Sequence, residues 1–458
     1  MLTRTDIEAA HALLEENHPA AVPLVGDTLF VSALKAAYAK SLARVPEVTD
    51  YEGYIATMSE FANAMGDGHI WSHSTFVRRE VSWAGIIAAK RGNDWVVGND
   101  DPAIVGREVA GAGIVSCDGE PIAERVREVM PFYVSAGDAA FEVVRAGWLL
   151  IDDGNPFVKR PDSCRFAQNG KNITLRLRWK KIALTTLLDS EWKHAYGHAG
   201  FGVRAMGGGY WIAIQSLDHD AQAVIDAAAA KTRQLHKARW VVVDLRGNGG
   251  GDDAYGRALA EVLYGKDYVD AILGPTEDEG GCVEAFRASD GNIKALAQSA
   301  KDMAREGDKA GAKEYTDAVT AMKAAKAAGR VFTAPLTCTE KTVPAGSASA
   351  PRSRMQAPVF VLTDALCFSS CIGTVSFFHK LGAIQVGAAT GADTHYSEVR
   401  EIVLPSGLST FSTLDAIEPD SPRNIGPFVP RFTYTGDIAD TGKLVKWISD
   451  TVAPKAGK

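Results

Sequence analysis

The stretch Trp240-Val-Val-Val-Asp-Leu-Arg-Gly-Asn-Gly-Gly-Gly251 is the most informative part of this 458-residue chain. Its apolar start is continuous and has strand length, which is typical of a parallel sheet buried on both faces. Three successive glycines then expose backbone N–H groups before a predicted helix over Ala254–Leu263. Such a turn stabilises negative charge, either a phosphate or a transient oxyanion. A purely structural turn is the alternative.

The surrounding pattern predicts an α/β core. Strand Tyr210–Ile214, a helix around Ala221–Leu235 and strand Val359–Thr363 alternate with the elements above, as in a parallel sheet. No Gly-Lys-Ser/Thr and no Gly-x-Gly-x-x-Gly follows the glycine-rich turn. The sequence therefore disfavours a P-loop or a dinucleotide site.

A second segment, Val359-Phe-Val-Leu-Thr-Asp-Ala-Leu-Cys-Phe-Ser-Ser-Cys-Ile-Gly373, joins a buried strand to a helix predicted from about 370 to 380. It places the Ser369 hydroxyl at the strand-to-helix junction, beside backbone N–H groups aligned with the helix dipole. The alternative is that Ser369 only caps the helix, which is the commoner use of a serine there.

Together the two segments resemble the catalytic core of the S41 family of serine peptidases, in which a strand ends in Asp-Leu-Arg-x-Asn-x-Gly-Gly and a nucleophile turn follows. Asp244 to Gly251 match the first pattern, and Cys367 to Cys371 match the second. The resemblance implies a ClpP/crotonase-like α/β core and Ser369 as the nucleophile of a serine endopeptidase. It implies an acyl-enzyme, a peptide or protein substrate, and neither metal nor other cofactor.

The processing branch of this family takes a lysine after the serine as its general base, and the segment from Ala388 to His395 has none. The other branch takes a histidine from an Asp-x-His segment near the N-terminus. Gly66-Asp-Gly-His69 matches that segment, so His69 is the predicted base, with His395 in reserve. The alternative for His69 is a hydrogen-bonding loop histidine.

The remaining site residues follow from the same resemblance. The histidine branch takes an acid downstream of the serine, so we expect Glu418 to orient the imidazole, with Asp415 and Asp420 as alternatives. The family's Glu-Asn-x-Gly pattern aligns on Arg423-Asn-Ile-Gly426, which lacks the acid. The expected oxyanion hole consists of the Ser370 amide and an amide from Gly250 or Gly251. Arg246 and Asn248 are expected to brace the glycine-rich loop.

Two further histidine patterns and the cysteines carry weaker signals. His73 is a neighbour of His69 or a weak metal partner to it, and His194-x-x-x-His198 has helical metal spacing without an evident third ligand. Cys367 and Cys371 flank the nucleophile either as buried thiols or as a disulfide.

The chain divides into three predicted regions. Residues 1–78 form a helical region that carries His69, and residues 79–186 form a PDZ-like β module that helps to hold an extended peptide. Residues 187–458 form the peptidase core, interrupted by a helical insertion at about 284–328. We hypothesise that the insertion is a lid or a contact of a homodimer. Its alternative is a solvated decoration.

Composition excludes several function classes. Basic and acidic residues number 49 and 56, for a net charge of −7, so nucleic acid is not an expected partner. No apolar run is long enough for a membrane span. The six cysteines leave the redox compartment open. Because members of the family are mostly exported, we expect a periplasmic or secreted protein, with the cytoplasm as the alternative.

A second function class remains open on the same fold. A catalytically inactive protein could bind peptides or hydrophobic ligands, since a fold does not fix a function. A small-substrate esterase or amidase would use the same residues as the peptidase.

Overall fold

The computed structural model describes residues 1–137, 139–188, 198–274, 284–337, 351–419 and 421–456. The predicted features at His194, Cys282, Cys338 and Asp420 lie outside these residues. Among the described residues, no helix is both long and apolar enough to cross a membrane.

The N-terminal region is helical, as its apolar spacing predicts. Asp27 and Asp50 begin the second and third helices, because each side chain accepts a hydrogen bond from a first-turn amide. Ile7, Met58 and Phe61 lie in the core between the helices. The elements are α1 (Leu2–Asn17), 3₁₀ turn Pro19–Ala21, α2 (Thr28–Arg44), 3₁₀ turn Val45–Glu47, α3 (Tyr51–Asn63) and β1 (Ser72–Ser74).

The next region is a small β module, as predicted. Its antiparallel sheet has the order β3-β4-β5-β8-β9, and β2 pairs with β7 and β10 in a second sheet. A disulfide joins Cys117 to Cys164, which lie directly opposite each other on β5 and β8. The elements are β2 (Glu80–Trp83), β3 (Ile86–Arg91), β4 (Asp94–Asp100), α4 (Pro102–Val105), β5 (Gly113–Cys117), β6 (Glu120–Pro121), α5 (Ile122–Val129), 3₁₀ turn Met130–Phe132, α6 (Ala139–Arg145), 3₁₀ turn Ala146–Leu150, β7 (Ile151–Asp152), β8 (Ser163–Gln168), β9 (Lys171–Arg176), β10 (Lys180–Ala183) and α7 (Leu184–Thr186).

The first half of the core alternates strands and helices. One helix was expected around Ala221–Leu235, whereas the structure has two. The Thr232 hydroxyl donates to the Ala229 carbonyl at 2.6 Å, and a side chain that bonds to the backbone in this way competes with the helical ladder. The elements are β11 (Phe201–Met206), β12 (Gly209–Ile214), α8 (His219–Ala229), α9 (Thr232–His236), β13 (Val241–Asp244), α10 (Ala254–Tyr264) and α11 (Lys266–Leu273).

The second half contains the predicted helical insertion and then returns to the sheet. The insertion is a hairpin of two helices, α12 and α13. The elements are β14 (Ala285–Phe286), α12 (Asp290–Glu306), α13 (Lys309–Ala327), β15 (Val359–Thr363), α14 (Ser370–Lys380), β16 (Ile384–Gly387), β17 (Asp393–Thr394), β18 (Tyr396–Val403), β19 (Ser409–Ile417), β20 (Asn424–Ile425), β21 (Phe432–Thr433), α15 (Thr441–Trp447), a π-helical turn Ile448–Val452 and α16 (Ala453–Ala456).

The central sheet confirms the predicted α/β class. Its order is β11-β12-β13-β15-β16-β21, and all neighbours except β11 and β12 run parallel. Val241 and Val243 pack with residues of α8, α10 and α14 on one face. Trp240 and Val242 pack with residues of α15 on the other. The continuous apolar run of β13 is therefore buried on both faces.

The topology brings three distant segments to one place. Because β13 and β15 are parallel neighbours, the loops at their carboxyl ends meet at the same sheet edge. The loop after α3 reaches this edge because β1 pairs with β19, with Ser72 opposite Phe411. The Ser412 hydroxyl strengthens that join by donating to the His69 carbonyl at 2.8 Å.

Candidate active site

Ser369 occupies a strained position between β15 and α14. Its backbone has φ 56° and ψ −133°, a region that L-residues avoid and that is common at functional turns. Ser369 stands at the N-cap of α14, yet its side chain makes no capping hydrogen bond. A disulfide joins Cys367 to Cys371 across this turn, with both residues fully buried.

The Ser369 hydroxyl faces His69. The imidazole Nε2 lies 3.1 Å from Ser369 Oγ, within hydrogen-bond distance. Asp67 holds the histidine loop, because its Oδ1 accepts the His69 backbone N–H at 2.8 Å. The Phe368 ring packs against the imidazole with 4.6 Å between the ring centroids. The two residues that the sequence singled out are thus side by side, 300 positions apart in the chain.

Two carboxylates flank the other imidazole nitrogen. Nδ1 lies 3.2 Å from Asp393 Oδ1 and 3.5 Å from Asp67 Oδ1. These are ion-pair distances, but the buried Nδ1 makes no hydrogen bond of acceptable geometry. Burial alone would lower the pKa of His69. The negative charge of Asp393 and then that of Asp67 outweigh burial, so the pKa rises to about 10.

The two acids differ in their own protonation. Burial raises the pKa of Asp393. Burial also acts to raise the pKa of Asp67, but the hydrogen bond and positive charge of His69 and the hydroxyl of Thr394 lower it overall. That hydroxyl donates to Asp67 Oδ2 at 2.5 Å. Asp67 is therefore the acid held more firmly in its charged form.

The structure places Asp393, not Glu418, beside the imidazole. The Glu418 carboxylate accepts the Ser421 hydroxyl at 3.0 Å, and the Glu418 amide donates to the His395 carbonyl. The alternative, Asp415, is buried and bound by Arg400 at 2.8 Å. We therefore revise the expected acid from Glu418 to Asp393.

Strand pairing explains how Asp393 comes to lie beside the imidazole. In the pair of β17 with β20, Asp393 lies opposite Ile425 and Thr394 lies opposite Asn424. The amide of His395 donates to the Arg423 carbonyl, which extends the same register. Side chains at 393, 423 and 425 therefore share one face. Where the family pattern has an acid, this chain has Arg423, which pairs with Asp27. Asp393, on the adjacent strand, provides a carboxylate on the same face.

The glycine-rich loop reaches the Ser369 turn from β13. Among the described residues, the amides of Gly251 and Ser370 make no hydrogen bond, which leaves both N–H groups available. The Gly250 amide is not available, because it donates to Asn248 Oδ1 at 2.9 Å. This removes Gly250 from the expected oxyanion donors. A side chain at 250 would also collide, since its Cβ would lie 2.7 Å from Ser369 Cβ.

Asn248 and Arg246 brace the loop, as the sequence predicts. Asn248 Nδ2 donates to the Ile214 carbonyl, and the Phe368 amide donates to the Asn248 carbonyl. Arg246 forms a fully buried ion pair with Asp244 at 2.7 Å. The two loops are therefore fixed to each other by backbone contacts as well as by burial.

The other sequence candidates lie in different surroundings. Nδ1 of His395 lies 2.9 Å from the Ser421 carbonyl, and burial lowers the pKa of this histidine. His73 is exposed and lies 3.5 Å from Glu401. Nε2 of His198 lies 2.8 Å from Gln215 Nε2. None of these contacts involves Ser369.

Comparison with known proteins finds a matching family model and solved structures of similar fold. The model of peptidase family S41 matches residues 209–425. The structure of mature CPAF complexed with lactacystin is similar with a TM-score of 0.66 at 14% identity, covering 100% of this chain and 99% of that chain. Mature CPAF gives 0.64 at 13% identity, covering 100% and 98%. The photosystem II D1 C-terminal processing protease gives 0.41 at 11% identity, covering 100% of both chains.

No curated protein sequence matches this chain. At 14% and 13% identity, the similarity to the two CPAF structures establishes a shared fold. The family match covers the strands, the glycine-rich loop and the Ser369 turn. Over residues 209–425 the chain matches the core of the S41 peptidases, and it is a serine-type peptidase.

Proposed function

We propose that this chain is an endopeptidase that hydrolyses peptide bonds through an acyl-enzyme, with Ser369 as nucleophile and His69 as general base. The distance of 3.1 Å between Ser369 Oγ and His69 Nε2 carries this proposal. A hydroxyl is a weak nucleophile by itself and needs an adjacent base within hydrogen-bond reach. The missing capping bond of Ser369 leaves its hydroxyl available for that role.

The reaction follows from the positions of the groups. Ser369 Oγ attacks the peptide carbonyl carbon while Nε2 of His69 takes the hydroxyl proton. The amides of Gly251 and Ser370 stabilise the negative charge on the carbonyl oxygen. The imidazolium then gives its proton to the leaving amine, and the acyl-enzyme forms. Water, deprotonated by the same imidazole, attacks the ester, and the carboxylic acid product leaves with Ser369 restored.

Asp393 acts in this scheme as a positioning residue. Its carboxylate lies on the side of the ring opposite Ser369, 3.2 Å from Nδ1. There it stabilises the positive charge that the imidazole gains during attack. Asp67 adds a second negative charge and also fixes the histidine backbone.

The direct test is labelling by a fluorophosphonate probe, which reacts with an activated serine. We expect the unaltered protein to be labelled and Ser369→Ala and His69→Ala to lose labelling by at least about 100-fold. Ser376→Ala, in the same helix α14, is the matched serine control. His73→Ala is the histidine control, and both controls should label normally.

Two outcomes would overturn the proposal. Labelling that persists in Ser369→Ala would place the reactive serine elsewhere. Complete resistance of the folded, unaltered protein would favour the binding class, in which the fold holds a peptide or hydrophobic ligand without cutting it. A protein that labels but cleaves only small esters or amides would be the third class considered for this core.

We also propose that the protein works in an oxidising compartment, either periplasmic or extracellular. The pairs Cys117–Cys164 and Cys367–Cys371 are both disulfides, and disulfides persist in oxidising surroundings. Protein taken from its host without reductant should leave these four cysteines unreactive toward a thiol reagent. Reaction before reduction would contradict the proposed location.

A further inference from the structure

The imidazole side that faces away from Ser369 is built like a small cation site. Nδ1 of His69, Oδ1 of Asp67 and Oδ1 of Asp393 lie within 4.8 Å of one another. The Asp67 side chain is 2% exposed and that of His69 is 12% exposed. The Nδ1 atom itself is buried and makes no hydrogen bond. Nδ1 lies at ion-pair distance from both carboxylates, yet no hydrogen bond of acceptable geometry satisfies it. An unfilled ligand position explains this arrangement.

The spacing of these atoms fits a tetrahedral zinc ion. Zinc–nitrogen and zinc–oxygen bonds of about 2.0–2.2 Å at tetrahedral angles put ligand atoms about 3.3–3.5 Å apart. The observed separations of Nδ1 from the two carboxylate oxygens are 3.2 Å and 3.5 Å. An imidazole with two carboxylates suits Zn²⁺ and Co²⁺, whereas Mg²⁺ and Ca²⁺ prefer oxygen alone.

Neighbouring groups hold the ligands in place. The Thr394 hydroxyl binds Asp67 Oδ2, and the Thr394 amide donates to Asp393 Oδ1 at 2.7 Å. Such outer contacts orient metal ligands and strengthen binding. A cavity of about 350 Å³ lies against Asp67, Asp393 and Thr394 and gives an ion a route to the cluster.

Charge favours a divalent ion at the same place. With both acids ionised, the cluster carries two negative charges, whereas a neutral imidazole carries none. Zn²⁺ would balance the two carboxylates and form a ligand bond to Nδ1 in place of any proton there. The cavity is also lined by the cation Arg423, whose guanidinium is paired with Asp27 at 2.6 Å.

We propose that His69, Asp67 and Asp393 form an inhibitory Zn²⁺ site, a proposal that rests on the function proposed above. Zn²⁺ bonded to Nδ1 displaces any proton there to solvent and leaves the single ring proton on Nε2. Nε2 then donates a hydrogen bond instead of accepting one, so it cannot take the proton of Ser369. Zinc therefore switches off the general base without touching the nucleophile.

The binding test uses the full chain with Ser369→Ala, which retains the cluster and needs no activity. Titration with Co²⁺ at pH 8 should give the visible absorption bands of a tetrahedral site at one ion per chain. Asp67→Asn in this background should weaken Co²⁺ binding by at least about tenfold. Thr394→Val, which keeps all three ligands, should weaken it by about tenfold and serves if Asp67→Asn does not fold.

A matched control comes from the other cluster of this kind in the described part of the chain, the exposed group Asp218, His219 and Asp220. His219→Ala should leave the Co²⁺ bands unchanged. Bands that survive Asp67→Asn or Thr394→Val but vanish in His219→Ala would overturn the proposal. Absence of tetrahedral bands in the folded Ser369→Ala protein would overturn it as well.

The inhibition test uses the unaltered protein. Micromolar Zn²⁺ should slow fluorophosphonate labelling at least tenfold, and a chelator should restore it. A protein that labels normally at Ser369 whatever the Zn²⁺ concentration contradicts the inhibitory site and leaves the peptidase proposal standing. A protein that binds Co²⁺ at this cluster but never labels supports the metal site and overturns the peptidase proposal together with the inhibition.

Discussion

At the scale of single residues, His69 carries the largest electrostatic effect in the site. Its Nε2 lies within hydrogen-bond distance of the Ser369 hydroxyl, and its Nδ1 lies near the carboxylates of Asp67 and Asp393. A base must be neutral to accept a proton, while the acids stabilise the charged ring. Their charge raises the pKa of His69 to about 10 against the opposing effect of burial. At neutral pH the imidazole is therefore mostly protonated, and only a small fraction is ready to act.

The first prediction concerns pH. The rate of fluorophosphonate labelling should rise from pH 7 toward pH 10, because the neutral imidazole becomes more abundant. Asp67→Asn removes one of the charges that raise the pKa, so the rise should move to lower pH by about one unit or more. A pH profile of the labelling rate with its midpoint near pH 6.5, the ordinary pKa of histidine, would contradict this prediction if Asp67→Asn did not move that midpoint.

The same pKa shift has a consequence for stability with a defined sign. The folded pKa of His69 lies above its unfolded value, so the charged imidazole stabilises the fold fully below about pH 6.5. That contribution is lost as pH rises through about 10. The stabilising contribution of His69 should therefore be smallest in the alkaline range where labelling is fastest.

The second prediction concerns the backbone of Ser369. Its φ of 56° strains any residue with a Cβ, and glycine relieves that strain. Ser369→Gly should therefore be more stable toward urea than Ser369→Ala by about 1–2 kcal/mol. The matched pair at Ser376, inside α14, should show the opposite order by about 1 kcal/mol. Equal stability of the two variants at 369 would mean that the turn is relaxed in solution.

At the scale of elements, the strand pair β17–β20 decides which acid serves the site. The sequence predicts the nucleophile and the histidine because each lies in a short local motif. It does not predict Asp393, because the adjacency of residues 393 and 425 depends on a pairing between segments about 30 positions apart. Periodicity within two-residue strands is too short to reveal such a register.

Predictions that depend on local sequence alone differ in outcome from those that depend on three-dimensional contacts. The helices predicted at 254–263 and at about 370–380 follow from local apolar periodicity, and the structure confirms them. The helix predicted around 221–235 is instead two helices. Gly250 was expected to expose its amide, but Asn248 two residues earlier captures it in a local side-chain turn. An Asn-Gly-Gly sequence is compatible with either arrangement, so only the three-dimensional structure distinguishes them.

The third prediction tests the reassigned acid. Asp393→Asn should lower kcat/KM for peptide hydrolysis by about 10²–10⁴-fold, because the imidazolium loses its neighbouring charge. It should also move the alkaline rise of activity to lower pH, which a merely structural defect would not do. Glu418→Gln is the matched control and should change kcat/KM by less than about twofold, since this carboxylate binds Ser421 rather than His69. A larger loss of kcat/KM in Glu418→Gln than in Asp393→Asn would restore Glu418 as the acid that orients the imidazole.

At the scale of the whole molecule, the site exists only where the N-terminal region and the core meet. The sheet of β1, β14, β18 and β19 is assembled from segments far apart in the chain. Buried polar contacts reinforce it, since Asp6 accepts hydrogen bonds from the Tyr54 hydroxyl and the Ser406 amide. The sequence carries no short-range signal for such pairings, so it predicts the three regions better than their arrangement. The predicted boundaries at 78/79 and 186/187 stay predictions.

The helical insertion takes part in this assembly. Asn292, at the start of α12, is fully buried, and its amide donates to the carbonyls of Asn17 and Arg287. Its Oδ1 accepts a hydrogen bond from Arg400 at 2.8 Å. The insertion is therefore anchored between α1 and β18. Whether it is also a lid or a dimer contact stays a hypothesis, which deletion of the hairpin would test through substrate range and oligomeric state.

The fourth prediction follows from that anchor. Asn292→Ala removes one hydrogen bond from each of the Asn17 carbonyl, the Arg287 carbonyl and Arg400 Nη2. The loss of hydrogen bonds to buried groups costs about 1–3 kcal/mol. We expect a loss of this size in the free energy of unfolding by urea. Gln298→Ala, on an exposed part of the same helix, should change the free energy by less than about 0.5 kcal/mol.

The order of events during unfolding shows whether the insertion holds the N-terminal region and the core together. If the insertion joins the N-terminal region to the core, Asn292→Ala should lose fluorophosphonate labelling and helical circular dichroism at the same urea concentration. The reason is that His69 and Ser369 separate only when the joined structure unfolds. Loss of labelling well before the loss of helix would show that these two parts come apart first. In that case Asn292 would stabilise the contact between the N-terminal region and the core more than the fold of either part. Asn292→Ala should then increase the difference in urea concentration between the loss of labelling and the loss of helix.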